Sequence, residues 1–442
     1  MAVSRQVAEP GSVLANRSFV KLWAGETVSV TGNVITTFAL PLVALVTLHA
    51  SAFQVGVLNA VRYAPMIMFS LLAGFWLDRH RRKPTLIASD LACAVLIALI
   101  PLASVVGSLT IWLLYAVAFI VGIPQVLFDI GCLSYVPGLV ERRHLAEANS
   151  KLQISYAVAG VAGPSLGGLL IGLLTAPILL TFDAASYLFS MIMLLAIRRP
   201  EPCPETTKET ASVRSFVAEG LRVVWSNGVL RFLVMQSCAF NLIFNALITV
   251  FVVYAIRTLG LSTSELGIVI GSVAAGGFVG AVLANPVRTV LGVGRTLFAA
   301  TVGTCLSPLL LLVPHGSSPR TLVILALSQS VYGVSVVIYN INSMTLRQMV
   351  TPNRFLARMN GSSRMLLFGT ALLGALIGGA LGSSLGLRPA LVITALALTT
   401  PIAGILVSPV FRLKDMPSRP DEQTFRDTVS RPAATSSAAS DH

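Results

Sequence analysis

The stretch Gly74-Phe-Trp-Leu-Asp78-Arg-His-Arg-Arg-Lys83-Pro84 separates two long apolar segments of the chain. Five of its eleven residues are charged, one acidic and four Lys or Arg. Residues 52–77, which run into this stretch, carry no charge except Arg62, and residues 85–110 after it carry none except Asp90. So short and dense a charge cluster between two such segments predicts a tight loop at a membrane surface.

The composition is that of a membrane protein. Hydrophobic residues make up 55% of the 442 residues and charged residues only 11%, whereas soluble domains carry about 25% charged residues. A membrane span needs about 20 apolar residues, so the apolar runs predict an all-α membrane protein with twelve transmembrane helices. The predicted spans are residues 19–48, 53–77, 85–107, 110–136, 152–173, 177–197, 230–256, 265–287, 296–313, 321–346, 362–383 and 389–411.

The basic residues orient these spans. The loops on the side of the N-terminus hold 27 of the 31 Lys and Arg residues, and the opposite loops hold Arg257, Arg320 and Arg388, with Arg62 inside a span. This positive-inside asymmetry predicts that both termini are cytoplasmic. The formal net charge of +13 is therefore explained by the orientation of the chain in the membrane, and nucleic acid is not an expected partner.

Several classes of activity lack their sequence signatures. The five cysteines have no metal-ligand spacing, so we expect reduced thiols, no disulfide and no bound metal. No Gly-x-x-x-x-Gly-Lys-Ser/Thr loop is present, which argues against a pump driven by nucleotide hydrolysis. No nucleophile is paired with a base along the sequence, so we expect neither enzymatic activity nor a cofactor.

The chain contains an internal repeat. Ser51-Ala-Phe-Gln-Val-Gly56 returns as Ser262-Thr-Ser-Glu-Leu-Gly267, and Leu145-Ala-Glu-Ala-Asn149 returns as Leu356-Ala-Arg-Met-Asn360, both 211 residues later. Three glycines at 163, 167 and 168 return at the same offset. With an even number of spans in each repeat, both copies have the same orientation. This predicts two parallel six-helix bundles with a substrate site between them near the membrane midplane.

The repeat sets the domain boundaries. We predict an N-terminal six-helix bundle over residues 1–199, a cytoplasmic linker over 200–229 and a C-terminal six-helix bundle over 230–412. The polar tail, residues 413–442, is predicted to be disordered and cytoplasmic. Apolar residues at helical spacing in the second part of the linker predict a short amphipathic helix on the membrane surface.

Ionisable residues are costly inside a membrane, so each is a candidate for function. Glu26 begins a polar helix face and is our first candidate for proton coupling or substrate contact, against a structural acid that is solvated or paired. Asp129 is the second proton-coupling candidate. Arg62 lies mid-span and needs a partner, either Asp183 or an acidic substrate. Asp90 is expected to pair with a basic loop residue.

We expect the cavity between the bundles to be lined by polar side chains that recur at helical spacing. Asn and Tyr among apolar walls suit an amphipathic organic molecule and suit a bare ion poorly. The candidate lining residues are Asn33, Arg62, Tyr63, Gln125, Asn241, Asn245, Tyr332, Tyr339 and Asn342.

The charged stretch resembles the loop between helices 2 and 3 of the major facilitator superfamily, Gly-x-x-x-Asp-Arg-x-x-Arg-Lys. It departs from the common form at Arg81, where the family has a small residue. In that family an acid on helix 4 pairs with the last arginine of the loop. The resemblance therefore implies a conformational latch made by Gly74, Asp78, Arg79, Arg82 and Asp129.

A second resemblance lies on the fifth span. Gly163-Pro164-Ser-Leu-Gly167-Gly168 looks like the fifth-helix motif of drug/proton antiporters, although close helix packing explains a small-residue face equally well. From about residue 16 to 417 the chain is similar to the bacterial branch of the superfamily that contains the enterobactin exporter and macrolide-efflux proteins. Segments such as Phe19-Val-Lys-Leu-Trp23 and Ser134-Tyr-Val-Pro-Gly-Leu-Val140 carry that similarity.

The leading hypothesis is a secondary transporter of the bacterial cytoplasmic membrane that exports small organic molecules, such as drugs, antibiotics or siderophore-like metabolites. We expect H+ as the coupling ion, alternating access as the mechanism and a monomer as the functional unit. One alternative is an uncoupled facilitator or an importer. Another is a membrane sensor or assembly subunit that transports nothing.

Overall fold

The computed structural model describes residues 13–77, 79–141, 144–174, 176–198 and 213–413. In these ranges the chain is helical and its connections are short. Asp78, residues 200–212 of the predicted linker and residues 414–442 of the predicted disordered tail lie outside the described residues.

The first half of the chain contains six long helices. A short 3-10 turn at Val13–Ala15 precedes them, and α1 continues into a wider helical turn at Val43–Thr47. The side chain of Asn16 starts α1 by accepting hydrogen bonds from the amides of Ser18 and Phe19. The helices are α1 (Arg17–Leu42), α2 (Ala52–Leu77), α3 (Arg82–Val105), α4 (Ile111–Leu139), α5 (Leu145–Leu173) and α6 (Ala176–Leu195).

A short helix, α7 (Val213–Ser226), lies where the sequence predicts an amphipathic helix. Val223 and Val224 on it are buried against the second half, whereas Arg222 is exposed. The remaining helices are α8 (Gly228–Arg257), α9 (Thr263–Leu291), α10 (Val293–Leu306, followed by a 3-10 segment at Ser307–Leu312), α11 (Pro319–Met349), α12 (Asn353–Ser384), α13 (Leu387–Ala397) and α14 (Thr400–Leu406).

Ten segments of the described chain are long and apolar enough to cross a membrane. They comprise α1, α3, α4, α6 and α8 to α12, with α13 and α14 together forming the tenth. The helices α2 and α5 are not among the ten, but they have 26 and 29 residues. At 1.5 Å per residue that is about 39 and 44 Å, enough to span the hydrocarbon core.

The internal sequence repeat is also a repeat of the structure. The first residues of α1 and α8 are 17 and 228, those of α2 and α9 are 52 and 263, and those of α3 and α10 are 82 and 293. Each pair differs by 211. In both halves a serine caps the second helix, since Ser51 and Gln54 exchange side-chain and backbone hydrogen bonds as Ser262 and Glu265 do.

Glycines allow several helices to pack at backbone distance. A Cβ atom at Gly276 or Gly280 of α9 would collide with the backbone of α11, and one at Gly374 or Gly378 of α12 would collide with that of α8. On α5 a Cβ atom at Gly163 would collide with Val34 of α1. Small residues therefore serve helix packing in both halves.

The two halves meet at one end of the molecule, which we call the closed end; it carries residues 48–51 and 258–262. There Arg257 of α8 donates hydrogen bonds to the carbonyl oxygens of His49 and Ala50, at 3.1 and 2.5 Å. A Cβ atom at Gly56 of α2 would lie 2.8 Å from Cα of Gly379 on α12. Apolar clusters also join the halves at this end.

The opposite end, where α1 begins and α2 ends, is the open end. Its apolar clusters stay within one half: Phe19 and Leu22 belong to a first-half cluster, and Leu230 and Leu233 belong to a second-half cluster. Within the described residues, the hydrogen bonds between the halves join positions 49–63 to positions 245–257. The halves thus form a V around a cavity that faces the open end.

Candidate substrate cavity

The cavity between the halves has a volume of about 590 Å³, and we call it the central cavity. Its walls come from α2, α4, α8 and α12. Near mid-height, the hydroxyl of Tyr63 on α2 donates to Oδ1 of Asn245 on α8 at 3.0 Å, joining the halves. Tyr63 lies eleven residues into α2, or about 17 Å from its beginning. The lining residues are Arg62, Tyr63, Met66, Gly122, Gln125, Val126, Asp129, Asn241, Arg364, Leu367, Phe368 and Ala371.

Asp129 and Arg364 are the charged groups nearest the open end of this cavity. Both side chains are exposed to it, and the carboxylate of Asp129 is attracted by the guanidinium of Arg364. Asp129 lies ten residues before the end of α4 and Arg364 eleven residues after the start of α12, so both are about 15 Å from that end. One charge comes from each half.

The predicted latch stays a prediction, because its member Asp78 lies outside the described residues and the latch is expected to form in only one state of the transport cycle. Arg82 donates to the carbonyl oxygen of Ser134 at 2.9 Å, and Asp129 faces the cavity and Arg364 instead of the loop. Because the residues before Asp129 on α4 form an apolar run, the sequence does not show which face of α4 turns toward the cavity. Asp78 lies outside the described residues, Gly74 is part of α2, and Arg79 is exposed.

Arg62 stands on the cavity wall, as predicted for a substrate-contacting residue or a paired one. Its guanidinium donates to Oγ1 of Thr37 on α1 at 2.6 Å. Asp183 acts on it electrostatically, but the Asp183 carboxylate accepts its hydrogen bonds from Thr36 at 2.5 Å and Ser186 at 3.2 Å. The hydroxyl of Thr37 is therefore the direct partner of Arg62.

A second space, which we call the second-half pocket, adjoins the central cavity and has a volume of about 400 Å³. Asn241, Asn245, Tyr332 and Tyr339, all candidates from the sequence, line it together with Tyr63. Asn245 also donates to Oδ1 of Asn241 at 2.6 Å, so the two amides form one polar patch.

Aromatic rings that the sequence did not single out form one wall of the second-half pocket. Phe244 stacks on Tyr332 with ring centroids 4.8 Å apart and planes within 2°. Phe240 stacks on Phe244 at 5.5 Å. The Phe240 and Phe244 spacing of four residues puts both rings on one face of α8, which the apolar composition of the span conceals.

Two of the predicted lining residues do not contact these spaces directly. Asn342 is buried and donates to the carbonyl oxygens of Ile338 and Ala284, because its face of α11 packs on α9. Asn33 accepts a hydrogen bond from Thr37 at 3.4 Å. It lines neither the central cavity nor the second-half pocket. Gln125 does line the central cavity, and it donates to the hydroxyl of Tyr187 at 2.7 Å.

Glu26 lies inside the first-half bundle. Only 3% of its surface is exposed. The hydroxyl of Tyr156 on α5 donates to Oε1 at 2.6 Å, whereas Oε2 has no hydrogen-bond partner among the described residues. Glu26 and Asp129 interact electrostatically, so the buried acid and the cavity acid are neighbours.

Asp90 differs from its expected role. It is 1% exposed on α3, where its polar neighbour is the hydroxyl of Ser190 on α6. Its charged neighbour is Glu26. The expected pairing with a basic loop residue is therefore wrong, because this face of α3 turns into the bundle toward α1 and α6.

Arg347 was counted with the loops but lies on the wall of the second-half pocket. Its guanidinium donates to Oγ of Ser237 at 2.7 Å and to the carbonyl oxygen of Leu233 at 3.2 Å. Arg364 was counted with the same cytoplasmic segment, although it lies inside the predicted span 362–383. Arg347 lies one residue after the predicted span 321–346, but α11 continues to Met349.

The helical arrangement in two repeated halves has a counterpart among known proteins. The family model of the Major Facilitator Superfamily matches residues 22–367 and 257–440. The chain belongs to the major facilitator superfamily.

Its relatives within the superfamily include exporters. The chain is 26% identical over 402 residues to "Multidrug efflux pump Tap" of Mycolicibacterium fortuitum, covering 88% of this chain and 95% of that protein. It is 24% identical over 365 residues to "Enterobactin exporter EntS" of Salmonella choleraesuis, covering 81% of each. With "Macrolide efflux protein A" of Streptococcus pyogenes it shares 20% identity over 296 residues, 66% of this chain and 73% of that protein.

Solved superfamily structures share the fold. A mutant form of the nucleoside transporter NupG superimposes with a TM-score of 0.72 at 13% identity, covering 89% of this chain and all of that one. A bacterial homologue of the iron transporter ferroportin in an inward-facing state gives a TM-score of 0.68 at 15% identity, covering 90% and 99%. This superfamily member is thus a multi-pass bacterial membrane protein built to transport small molecules.

Proposed function

We propose that this chain is a proton-coupled exporter that moves small organic molecules out of the cytoplasm by alternating access and acts as a monomer. One observation carries the proposal: an acid on the cavity wall, Asp129, interacts with a buried acid, Glu26, that has an oxygen without a partner among the described residues. The names of the relatives support export.

The orientation follows from the basic residues. The open end carries the loop with Arg79, Arg81, Arg82 and Lys83, and loops rich in Lys and Arg remain cytoplasmic. The central cavity then faces the cytoplasm. An exporter collects its substrate from that side, so under this proposal the open arrangement is the state that loads substrate.

Two acids at different depths suit proton coupling. Asp129 is exposed to the central cavity, and Glu26 is buried behind it on α1. A proton that reaches Glu26 removes the cost of burying a charge there. Proton occupancy of Glu26 thereby favours one arrangement of the first-half bundle over another, which links protonation to the movement of the halves.

The test uses everted membrane vesicles with an imposed proton gradient that is followed by a pH-sensitive dye. Erythromycin, rhodamine 6G and 2,3-dihydroxybenzoate are added in turn. We expect one or more compounds to dissipate the gradient with the unmodified protein, and Glu26→Gln to abolish the response. Glu265→Gln is the matched control, because Gln54 fills the equivalent capping position in the first half.

Two outcomes would contradict the proposal. If Glu26→Gln responds like the unmodified protein, Glu26 carries no coupling proton. If labelled substrate crosses the membrane while the gradient stays intact, the protein is an uncoupled facilitator.

A further inference from the structure

The cationic side chains of the second half have no acidic partners in that half. Between residues 228 and 413 the only Asp or Glu is Glu265. Its carboxylate is engaged in the capping box at the closed end, where it accepts from the amide and hydroxyl of Ser262 at 2.7 and 2.8 Å. Any carboxylate that neutralises Arg347 or Arg364 must come from outside residues 228–413 or from a ligand.

Arg347 is the more deeply placed of the two. It lines the second-half pocket, and its described partners are the hydroxyl of Ser237 and the carbonyl of Leu233, both neutral. Its Nε is buried and has no hydrogen-bond partner among the described residues. A partly buried guanidinium with only neutral acceptors is costly, and an anion would offset that cost.

Arg364 stands where the second-half pocket joins the central cavity. Leu367, one turn further along α12, lines both spaces. The acidic neighbour of Arg364 is Asp129 of the opposite half. Both residues line the central cavity, so an anionic ligand in that cavity can replace Asp129 as the partner of Arg364.

The same pocket offers an apolar, aromatic surface. Phe240, Phe244 and Tyr332 are stacked into one wall with nearly parallel rings. The amides of Asn241 and Asn245 lie beside them. A volume of about 400 Å³ falls within the range of about 300–1,000 Å³ that is usual for sites of drug-sized ligands.

We infer that the transported substrate is an organic anion with a flat aromatic body, and that the second-half pocket is its binding site. Its negative group is bound by Arg347 and Arg364, and its ring system packs against Phe240, Phe244 and Tyr332. The inference rests on the proposed export function and adds the charge and shape of the substrate.

The test compares two probes with the same xanthene frame and opposite charge, the anion fluorescein and the cation rhodamine 6G. Binding to the purified full-length protein is followed by fluorescence anisotropy at neutral pH. We expect fluorescein to bind more tightly than rhodamine 6G. Each of Arg347→Gln and Arg364→Gln should weaken fluorescein binding by about tenfold or more, the usual effect of losing a hydrogen bond to a charged group.

Control variants separate charge from folding. Arg388→Gln removes an exposed arginine that contacts His315 at the closed end, and it should bind fluorescein normally. Arg364 is exposed, so its variant reports on the site even if Arg347→Gln does not fold. Asp129→Asn should tighten fluorescein binding by roughly threefold, because an exposed competing carboxylate is removed.

The inference is overturned if rhodamine 6G binds more tightly than fluorescein, or if Arg364→Gln binds fluorescein unchanged. Vesicle transport separates this failure from failure of the proposed function. Gradient collapse with rhodamine 6G alone would support the export function and contradict an anionic substrate. Charge-dependent binding of fluorescein without gradient collapse would support the anion-binding site and contradict proton coupling.

Discussion

Glu26 and Ser237 occupy equivalent positions in the two halves, since 26 and 237 differ by the repeat length of 211. In the first half this position holds a buried carboxyl group that accepts from Tyr156. In the second half it holds a hydroxyl that accepts from Arg347. This is one of the equivalent positions at which the acidic first half differs from the basic second half.

The hydrogen bond between Tyr156 and Glu26 can be measured on its own. Tyr156→Phe should lower the free energy of unfolding by about 1–2 kcal/mol, because a buried carboxyl oxygen loses its donor. In a Glu26→Met background the same change should cost close to nothing, since the acceptor is gone. Thermal unfolding of the four proteins of this double-mutant cycle in detergent gives the coupling. An equal loss in both backgrounds would show that Tyr156 acts through packing alone.

At the scale of the elements, the crossing of α2 and α12 determines whether the closed end can form. Gly56 and Gly379 meet there at backbone distance, and an added Cβ at Gly56 would lie 2.6 Å from the carbonyl oxygen of Ala375. A movement of α2 away from this crossing would also break the hydrogen bond between Tyr63 and Asn245 of α8. Because Gly56 and Gly379 have no side chains, α2 and α12 can meet at the closed end.

Gly56→Val should shift the protein toward states that are open at the closed end. The readout is the labelling of a cysteine placed at Asn59, probed from that side with a membrane-impermeant maleimide in a background without native cysteines. Labelling should be faster in the Gly56→Val variant. Gly369→Val on α12 is the control, because no atom lies within 4 Å of its added Cβ. Slow labelling in both variants would show that this crossing does not hold the end closed.

At the scale of the whole molecule, two halves of the same fold carry different chemistry. The first half supplies carboxylates at Glu26, Asp90 and Asp129, and the second supplies arginines at 347 and 364. The described hydrogen bonds that join the halves lie toward one end. Movement of one half against the other would break this small set while each bundle keeps its core.

Linking the halves at the closed end should stop transport. In the structure Asn59 on α2 donates to Oγ1 of Thr249 on α8 at 3.4 Å. Cysteines at these two positions, joined by a short bifunctional methanethiosulfonate reagent, should abolish substrate movement in vesicles, and a reducing agent should restore it. Each single-cysteine protein should keep its transport after the same treatment. Full transport by the linked protein would argue against alternating access.

Much of the fold follows from the sequence, but the lining of the site does so less completely. Apolar runs, the charged loop and the repeat predict the helices because each helix satisfies its own backbone inside lipid. Spacing along α8 and α11 also predicts Asn241, Asn245, Tyr332 and Tyr339. It fails for Asn342, which shares that spacing but faces α9.

The sequence by itself determined the membrane location, the two parallel repeats and the uneven distribution of acids, because these depend on composition and order along the chain. Only the tertiary structure decided that Asp129 faces Arg364, that Arg347 reaches the second-half pocket and that Glu26 lies behind the cavity wall. The physical reason is that a membrane helix is apolar on nearly every face. Its hydropathy therefore does not show which face meets lipid, a neighbouring helix or water, and the packing of the two halves decides this.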